Sequence, residues 1–357
     1  MPTPLRVGLI GAGSISGAHM RAYTQFPQHV QLIAVADPHA AAARERALSV
    51  GIDTFFTDPY AMLQHADIDA VDICTPHDLH APLAIAAAEA GKHILVEKPM
   101  ACSLEECHAM IAAAERAGVT LMVAQHQRYV PSYAGVRHVI RSGELGAICA
   151  VRMDAMQHMP AFATPSHWLY DGSRAGGGII ISVLVHRLDL VRYLVGEVKR
   201  VTAVCRTTRP EFINGAEDFA AAVLEFENRA IGELFATYSG FRMPWGEQFM
   251  IFGAEGTIHA VPPSAAYVGP AFIASRERVG EPDGWDAQFT GFVPVPPHQG
   301  DLPTEDGFVN EILHFAACCQ SGQEPLSSGR DNVNTMKIVF GIYESARRGE
   351  PIELERL

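Results

Sequence analysis

The sequence predicts a two-domain α/β protein. Residues 1–124 should form a doubly wound parallel sheet, and residues 125–357 a second α/β domain on a large open, mostly antiparallel sheet. Three observations lead there. A chain of 357 residues exceeds one comfortable hydrophobic core. Its first 124 residues alternate short apolar strands with helices, the signature of a parallel sheet covered on both faces. From Gln125 onward the strands lengthen, partly alternate in polarity and follow one another with few helices between them.

In the first part the expected strands are Leu5–Ile10, Val30–Ala36, Ala70–Cys74, His93–Val96 and Thr120–Ala124. The expected helices are Ser16–Phe26, Ala40–Leu48, Tyr60–Gln64, His80–Ala90 and Leu104–Ala117. Ser103, followed three residues later by Glu106, reads as a capping box, and Gly91 and Gly118 read as helix stops. In the second part the strands are Ala147–Met153, Arg200–Thr207, Asp218–Phe226, Ala230–Tyr238 and Gln248–Phe252. A glycine run and a helix, Gly177–Leu194, interrupt them. Val261–Asp301, rich in Pro and Gly, reads as a long excursion or lid with little regular structure. Two helices, Gly307–Cys319 and Arg330–Arg347, close the chain and are free to pack back on the first domain.

Hydrophobic content of 48% with 19% charged residues describes an ordinary soluble globule. A net charge of -13 without a Lys/Arg tract argues against nucleic acid as partner. Met1–Pro4 leaves no room for a signal peptide, and no apolar run reaches the length of a membrane span. The seven cysteines are scattered without the spacing of a metal site, so no metal is expected. Free thiols in a reducing compartment, the cytoplasm, are the plain reading.

The first strand runs into Gly11-Ala12-Gly13-Ser14-Ile15-Ser16-Gly17. Gly11 permits a tight turn, and Gly13 lets a pyrophosphate approach the N-terminus of the next helix. Ser16 stands where a third Gly or Ala is usual. The second strand ends on Asp37, whose carboxylate can accept both hydroxyls of an adenosine ribose and would repel a 2'-phosphate. That favours NAD(H) over NADP(H). Asp37 can equally cap the helix after Pro38. The next strand ends in Cys74-Thr75-Pro76-His77, with His80 beyond. Thr75 and Pro76 are placed to brace the nicotinamide, while His77 and His80 either touch the nucleotide or cap the following helix. Ser14, Ile15, Glu97, Lys98 and Gln125 complete the expected cofactor surface.

Lys98 follows a strand at the same rim, and Pro99 stiffens the chain after it. A lysine there can hold a substrate hydroxyl and offset developing oxyanion charge. In the second domain Ser182 and His186 are four residues apart, hence on one face if a helix has begun. His186 can exchange a proton near neutral pH, with Asp189 three residues further to orient it, or it is a buried structural histidine. Asp154, Gln157, His158, Ser182 and His186 are candidates to meet a hydroxyl-rich ligand, with Trp168 as an apolar wall.

Taken in order, these residues resemble the glucose-fructose oxidoreductase and inositol 2-dehydrogenase family (Gfo/Idh/MocA) over nearly the whole chain. The likeness rests on Gly11-Ala12-Gly13, on Cys74-Thr75-Pro76 with His80, and on Gly91 through Met100 containing Glu97-Lys98-Pro99. Arg128 with Pro131 and Tyr133, Gly253-Ala254-Glu255-Gly256-Thr257, and Glu324-Pro325 with Ser328-Gly329 extend it. The resemblance implies a Rossmann domain joined to a domain on an open sheet, through which members pair as dimers or tetramers. It implies hydride transfer between NAD(H) and a hydroxyl or ketone carbon of a sugar, inositol or related polyol. Lys98 matches the family's catalytic lysine, His186 its acid/base histidine and Trp168 an aromatic near the cofactor, although Leu169 replaces the usual arginine. Where the family reads Gly-Gly-Gly-x-Leu-x-Asp-x-Gly-x-His, this chain carries Ser182 for the Asp and Leu184 for the following Gly. The departures weaken an inositol reading and leave two alternatives. One is a degenerate, non-catalytic member; the other is an enzyme with tightly held nucleotide acting on a non-sugar substrate such as a dihydrodiol.

Overall fold

The computed structural model describes residues 3–161, 163–243, 246–260, 269–278, 291–298, 300 and 302–357. It divides into two compact units. One comprises residues 1–129 with 304–336, the other 130–303 with 337–357. The break falls at Tyr129/Val130, a few residues beyond Gln125. The two closing helices do not stay together: Gly307–Ser321 belongs to the first unit, and the division cuts Gly329–Arg348 between Met336 and Lys337.

The first unit holds β1 (Leu5–Ile10), α1 (Ser16–Gln25), β2 (Val30–Ala36), α2 (Ala40–Leu48), β3 (Phe55–Phe56), α3 (Pro59–His65), β4 (Ala70–Ile73), α4 (His80–Glu89), β5 (His93–Glu97), α5 (Leu104–Ala117) and β6 (Leu121–Ala124). The strands pair in parallel in the order β3-β2-β1-β4-β5-β6. β4 is buried along its whole length, as are Val7–Ile10 of β1 and Ile94–Glu97 of β5, as a sheet covered on two faces requires. The capping box forms: Ser103 Oγ accepts the Glu106 N–H at 3.1 Å, and Glu106 accepts the Cys102 N–H at 2.9 Å. Gly118 ends α5 at φ 67°, a conformation that favours glycine. The order of strands reverses between β1 and β4, so the crevice for a nucleotide opens at their C-terminal ends.

The second unit adds α6 (Pro131–Ser142), β7 (Ile148–Met156), α7 (Gly172–Ala175), α8 (Val185–Val195), β8 (Val198–Arg206), β9 (Phe219–Phe226), β10 (Ile231–Thr237), β11 (Gly246–Gly253), β12 (Gly256–Ala260), β13 (Ala271–Ser275) and β14 (Val293–Pro294). After α9 (Gly307–Ser321) and α10 (Gly329–Arg348), β15 (Ile352–Glu353) returns to the second sheet. That sheet runs β14-β13-β12-β11-β7-β10-β9-β8-β15, antiparallel throughout its described pairings except β7 with β10. One face is buried: Ala220, Ala222 and Leu224 on β9 meet Ala236, Leu234 and Gly232 on β10. The other is open within the chain, with Val204 53%, Val223 49% and Ile231 55% exposed.

Two expectations change. Val261–Asp301 is not devoid of regular structure, because β13 and β14 lie inside it; residues 261–268, 279–290, 299 and 301 lie outside the described residues. α6 is not among the expected elements, although Pro131 at its first turn and Gly143 at φ 83° mark both its ends.

Candidate active site

Each unit holds a set of polar residues. In the first, the glycine turn between β1 and α1 lies against the end of β4. A Cβ on Gly11, at φ 99°, would sit 2.3 Å from the Cys74 carbonyl oxygen, so only glycine fits. At Gly13 nothing lies within 4 Å of such an atom, which leaves room in front of the ten-residue α1. Ser16 Oγ donates to the Gly13 carbonyl at 2.7 Å, so the serine closes the turn from within where the third glycine is usual.

Asp37 sits just past β2. Its carboxylate accepts the Ala12 N–H at 2.9 Å and the His39 N–H at 2.8 Å, which shapes both the glycine turn and the entry to α2. It does not cap α2 directly; His39 is the cap residue. Oδ1 also lies 3.2 Å from the His39 ring Nδ1, while Oδ2 keeps a further lone pair for a ribose hydroxyl. Arg46 reaches back from α2 and donates to the carbonyls of Gly13 at 3.0 Å and Ala12 at 3.4 Å. No local signal in the sequence points to that contact.

Thr75 Oγ1 and Gln125 Nε2 are buried without a protein partner, at the ends of the strands flanking β5. Buried polar atoms are normally satisfied, so these two fit a ligand that bonds them. With the open turn and Asp37, the residues present fit a dinucleotide. His77 is buried beside His80, their rings 5.6 Å apart. His80 does not cap the following helix, whose cap residue is Leu79. Its ring is fully buried, with Nδ1 2.8 Å from the Pro99 carbonyl and Nε2 3.0 Å from that of Thr75, and the single N–H of a neutral ring donates to one of the two. Burial lowers its pKa.

Glu97 ends β5 and accepts the backbone N–H of Lys98 at 3.0 Å. Lys98 is half-buried, and its peptide bond to Pro99 is cis. Behind Glu97 stands a buried group that sequence reading missed. His19 Nε2 is 3.1 Å from Glu97, and His19 Nδ1 is 2.9 Å from Asp72, which also accepts the Tyr23 hydroxyl at 2.8 Å.

In the second unit, residues 180–184 form a π-helical turn that leads into α8. Its bonds span five residues, so the α-helical four-residue spacing does not set the faces of Ser182 and His186. Both are buried. Leu184, in place of glycine, is fully buried. Glu217 caps this turn: its carboxylate accepts the N–H groups of Gly178 at 2.6 Å and Ile180 at 2.8 Å, and the Tyr343 hydroxyl at 3.2 Å. Burial pushes the Glu217 carboxyl up to about 7. Arg187, next to His186, is fully buried; it donates to Tyr133 at 3.1 Å and pairs with Glu247 at 3.3 Å.

Asp154 is not beside His186. On β7, Ala155 is paired with Glu247 and shares its face, the face on which Arg187 of α8 lands. Successive strand residues face opposite ways, so Asp154 and its partner Gln248, which donates to it at 2.8 Å, lie across the sheet. Gln157, beyond the end of β7, is buried with its Nε2 lacking a protein partner. His158 packs edge-on against Phe241 at 5.6 Å, and Trp168 opens a short 3-10 turn, Trp168–Tyr170.

A reversed parallel strand order, a glycine turn before a helix and an acid at the end of the second strand define a dinucleotide-binding oxidoreductase. Residues 5–125 match the oxidoreductase family with NAD-binding Rossmann fold, and residues 133–259 the GFO/IDH/MocA C-terminal domain. The chain belongs to the GFO/IDH/MocA oxidoreductase family. It is 31% identical to D-apiose dehydrogenase of Paraburkholderia graminis, over 98% of this chain and 89% of that protein. It is 35% identical to levoglucosan dehydrogenase of Pseudarthrobacter phenanthrenivorans, over 71% of this chain and 73% of that one. A solved levoglucosan dehydrogenase in complex with NADH and levoglucosan superimposes with TM-score 0.85 at 29% identity, covering 98% of this chain and 99% of the other. The protein is an oxidoreductase of CH–OH groups that uses NAD(H) in preference to NADP(H). No helix among the described residues is long and apolar enough to cross a membrane.

Proposed function

We propose that the protein oxidises or reduces one ring carbon of a small cyclic sugar or polyol, with Lys98 and His186 as its catalytic pair. The observation that carries this reading is Lys98 at the end of β5, fixed through its own N–H to Glu97. When bound, NAD exchanges a hydride with the substrate carbon. In oxidation Lys98 donates a hydrogen bond to the reacting oxygen and offsets its developing negative charge. His186 takes the hydroxyl proton and returns it in reduction. Ser182 holds a neighbouring hydroxyl without the negative charge that an aspartate would bring. Gln157 offers a further buried amide to the substrate, and Trp168 an apolar wall.

Relatives that act on apiose and levoglucosan support a compact ring as substrate. The open face of the second sheet supports a homodimer or homotetramer, since exposed Val204, Val223 and Ile231 form an apolar surface suited to a second copy. Seven free thiols support work in a reducing compartment such as the cytoplasm. The test is a screen of D-apiose, levoglucosan and inositols with NAD, following NADH absorbance. Turnover of a member of this panel, lowered roughly 10²-fold or more by Lys98→Ala, is the expected result. Uniform inactivity across cyclic polyols would sink the reading.

A further inference from the structure

His19 lies three residues into α1, behind the glycine turn, and is fully buried. Its two ring nitrogens each face a carboxylate. Nδ1 is 2.9 Å from Asp72 Oδ2, and Nε2 is 3.1 Å from Glu97 Oε1. A neutral imidazole has one N–H, so one of these contacts would set a lone pair against a carboxylate oxygen. The carboxylates have other donors as well. Asp72 Oδ2 accepts the Tyr23 hydroxyl at 2.8 Å, and Glu97 Oε2 accepts the Lys98 N–H at 3.0 Å. With both carboxylates ionised, an imidazolium satisfies them together.

The other groups around the ring agree with a cation there. Cys74 Sγ is 3.7 Å from Nδ1, and burial raises its thiol far above the ordinary value, so it stays neutral. From α9, Phe308 packs its ring 5.8 Å from that of His19 and stacks on His126. Glu311, also on α9, is fully buried with neither carboxyl oxygen bonded, and burial raises its pKa well above the ordinary value. The charges of Glu97 and Asp72 raise it further, and that of His19 lowers it. Burial lowers and Asp72 raises the pKa of His19, with a net rise. Burial alone would raise the Glu97 carboxyl, but the bond and charge of His19 hold it below its ordinary value.

We propose that His19 is a positioning residue for Lys98: its doubly protonated ring ties Asp72 to Glu97, and Glu97 holds the Lys98 backbone. The ring also joins α1, which begins at the nucleotide turn, to the strand end that carries the lysine. Because the imidazolium satisfies Glu97, that carboxylate is not left to draw the Lys98 ammonium away from a substrate oxygen. The proposal rests on the catalytic reading of Lys98 given above.

The same atoms raise a rival. His19, Asp72 and Cys74 present ligand atoms within 4.8 Å of one another, close enough for a metal ion. Nitrogen-15 NMR of the histidine rings in the full chain, at about pH 8, decides the protonation state. The signals lost in His19→Gln should belong to a ring with both nitrogens protonated. A neutral tautomer, or zinc retained stoichiometrically by the purified wild type, overturns the proposal. In kinetics, His19→Gln should lower turnover about tenfold or more in the wild-type background and change nothing further in Lys98→Ala. Equal losses in both backgrounds would mean a merely structural role and would overturn it. If His19→Gln fails to fold, Glu97→Gln carries the same cycle. The NMR measurement needs no substrate. Inactivity on every polyol would therefore reject the functional reading while a doubly protonated ring still supported the His19 tie between Asp72 and Glu97.

Discussion

The carboxylate of Glu217 lies 2.6 Å from the backbone nitrogen of Gly178, 39 residues away in the chain. It caps the turn that leads to His186, yet it is fully buried, and burial pushes its pKa from 4.5 up to about 7. The folded state therefore keeps this proton to higher pH than the unfolded chain. The resulting stabilisation is complete below about pH 4.5, falls as pH rises and is lost above about 7. A shift of that size corresponds to about 3 kcal/mol. Chemical denaturation should show wild type losing stability from about pH 5 to 8 relative to Glu217→Gln. Parallel profiles for the two proteins would contradict the assignment.

Asp37 shapes the glycine turn, and the proposed ribose contact gives it a second role to test. Titration of wild type should show NADH bound at least about tenfold more tightly than NADPH, about 1.4 kcal/mol. Asp37→Ser should narrow that ratio. It should also weaken NADH, because the Ala12 N–H loses its carboxylate partner. An unchanged ratio would place nucleotide selection elsewhere.

With a substrate in hand, Lys98→Ala should lower turnover by roughly 10²-fold or more and leave NADH affinity nearly intact. His186→Ala should lower it similarly and flatten the pH profile near neutrality. Ser182→Ala should mainly raise the Michaelis constant, and Ser182→Asp should improve activity on inositols if that position sets specificity. Near-normal turnover in both Lys98→Ala and His186→Ala would refute the assigned roles.

Val223 and Ile231 are half exposed on the open sheet face. Light scattering of wild type should give a multiple of the 38.6 kDa chain mass. Val223→Asp with Ile231→Asp should reduce it toward one chain, since charges are costly in a closed apolar interface. A wild-type mass of one chain would reject assembly through this face.

Arg187 and Glu247 are fully buried and pair at 3.3 Å. Removing one partner strands the other charge, so Arg187→Leu should cost about 3–5 kcal/mol of stability. The double change Arg187→Leu with Glu247→Leu should recover much of that loss in thermal or urea unfolding. A double variant no better than the single would show that the ion pair is not what the single change breaks.

Much of the cofactor half was legible from the sequence because its determinants are local. A strand, a glycine turn, a helix and an acid at the next strand end lie within Leu5–Asp37, and each follows from backbone sterics or strand patterning. Glu97-Lys98-Pro99 was legible for the same reason. What the sequence could not state was which distant groups meet. His19 bonds Asp72 and Glu97 across 53 and 78 residues, and Arg187 reaches Glu247 across 60. Those pairings arise only when strands and helices pack, because burial makes each charge seek a partner wherever the chain brings one. Asp154 shows the converse. It is polar, near Gln157 and plausible beside His186, but strand register turns it to the other face of the sheet. The π-helical turn at Ile180–Leu184 likewise depends on the carboxylate of Glu217, which no reading of Gly176 through His186 contains. The residue types of the site were thus written locally, while their facing, charge and partners were decided by tertiary packing.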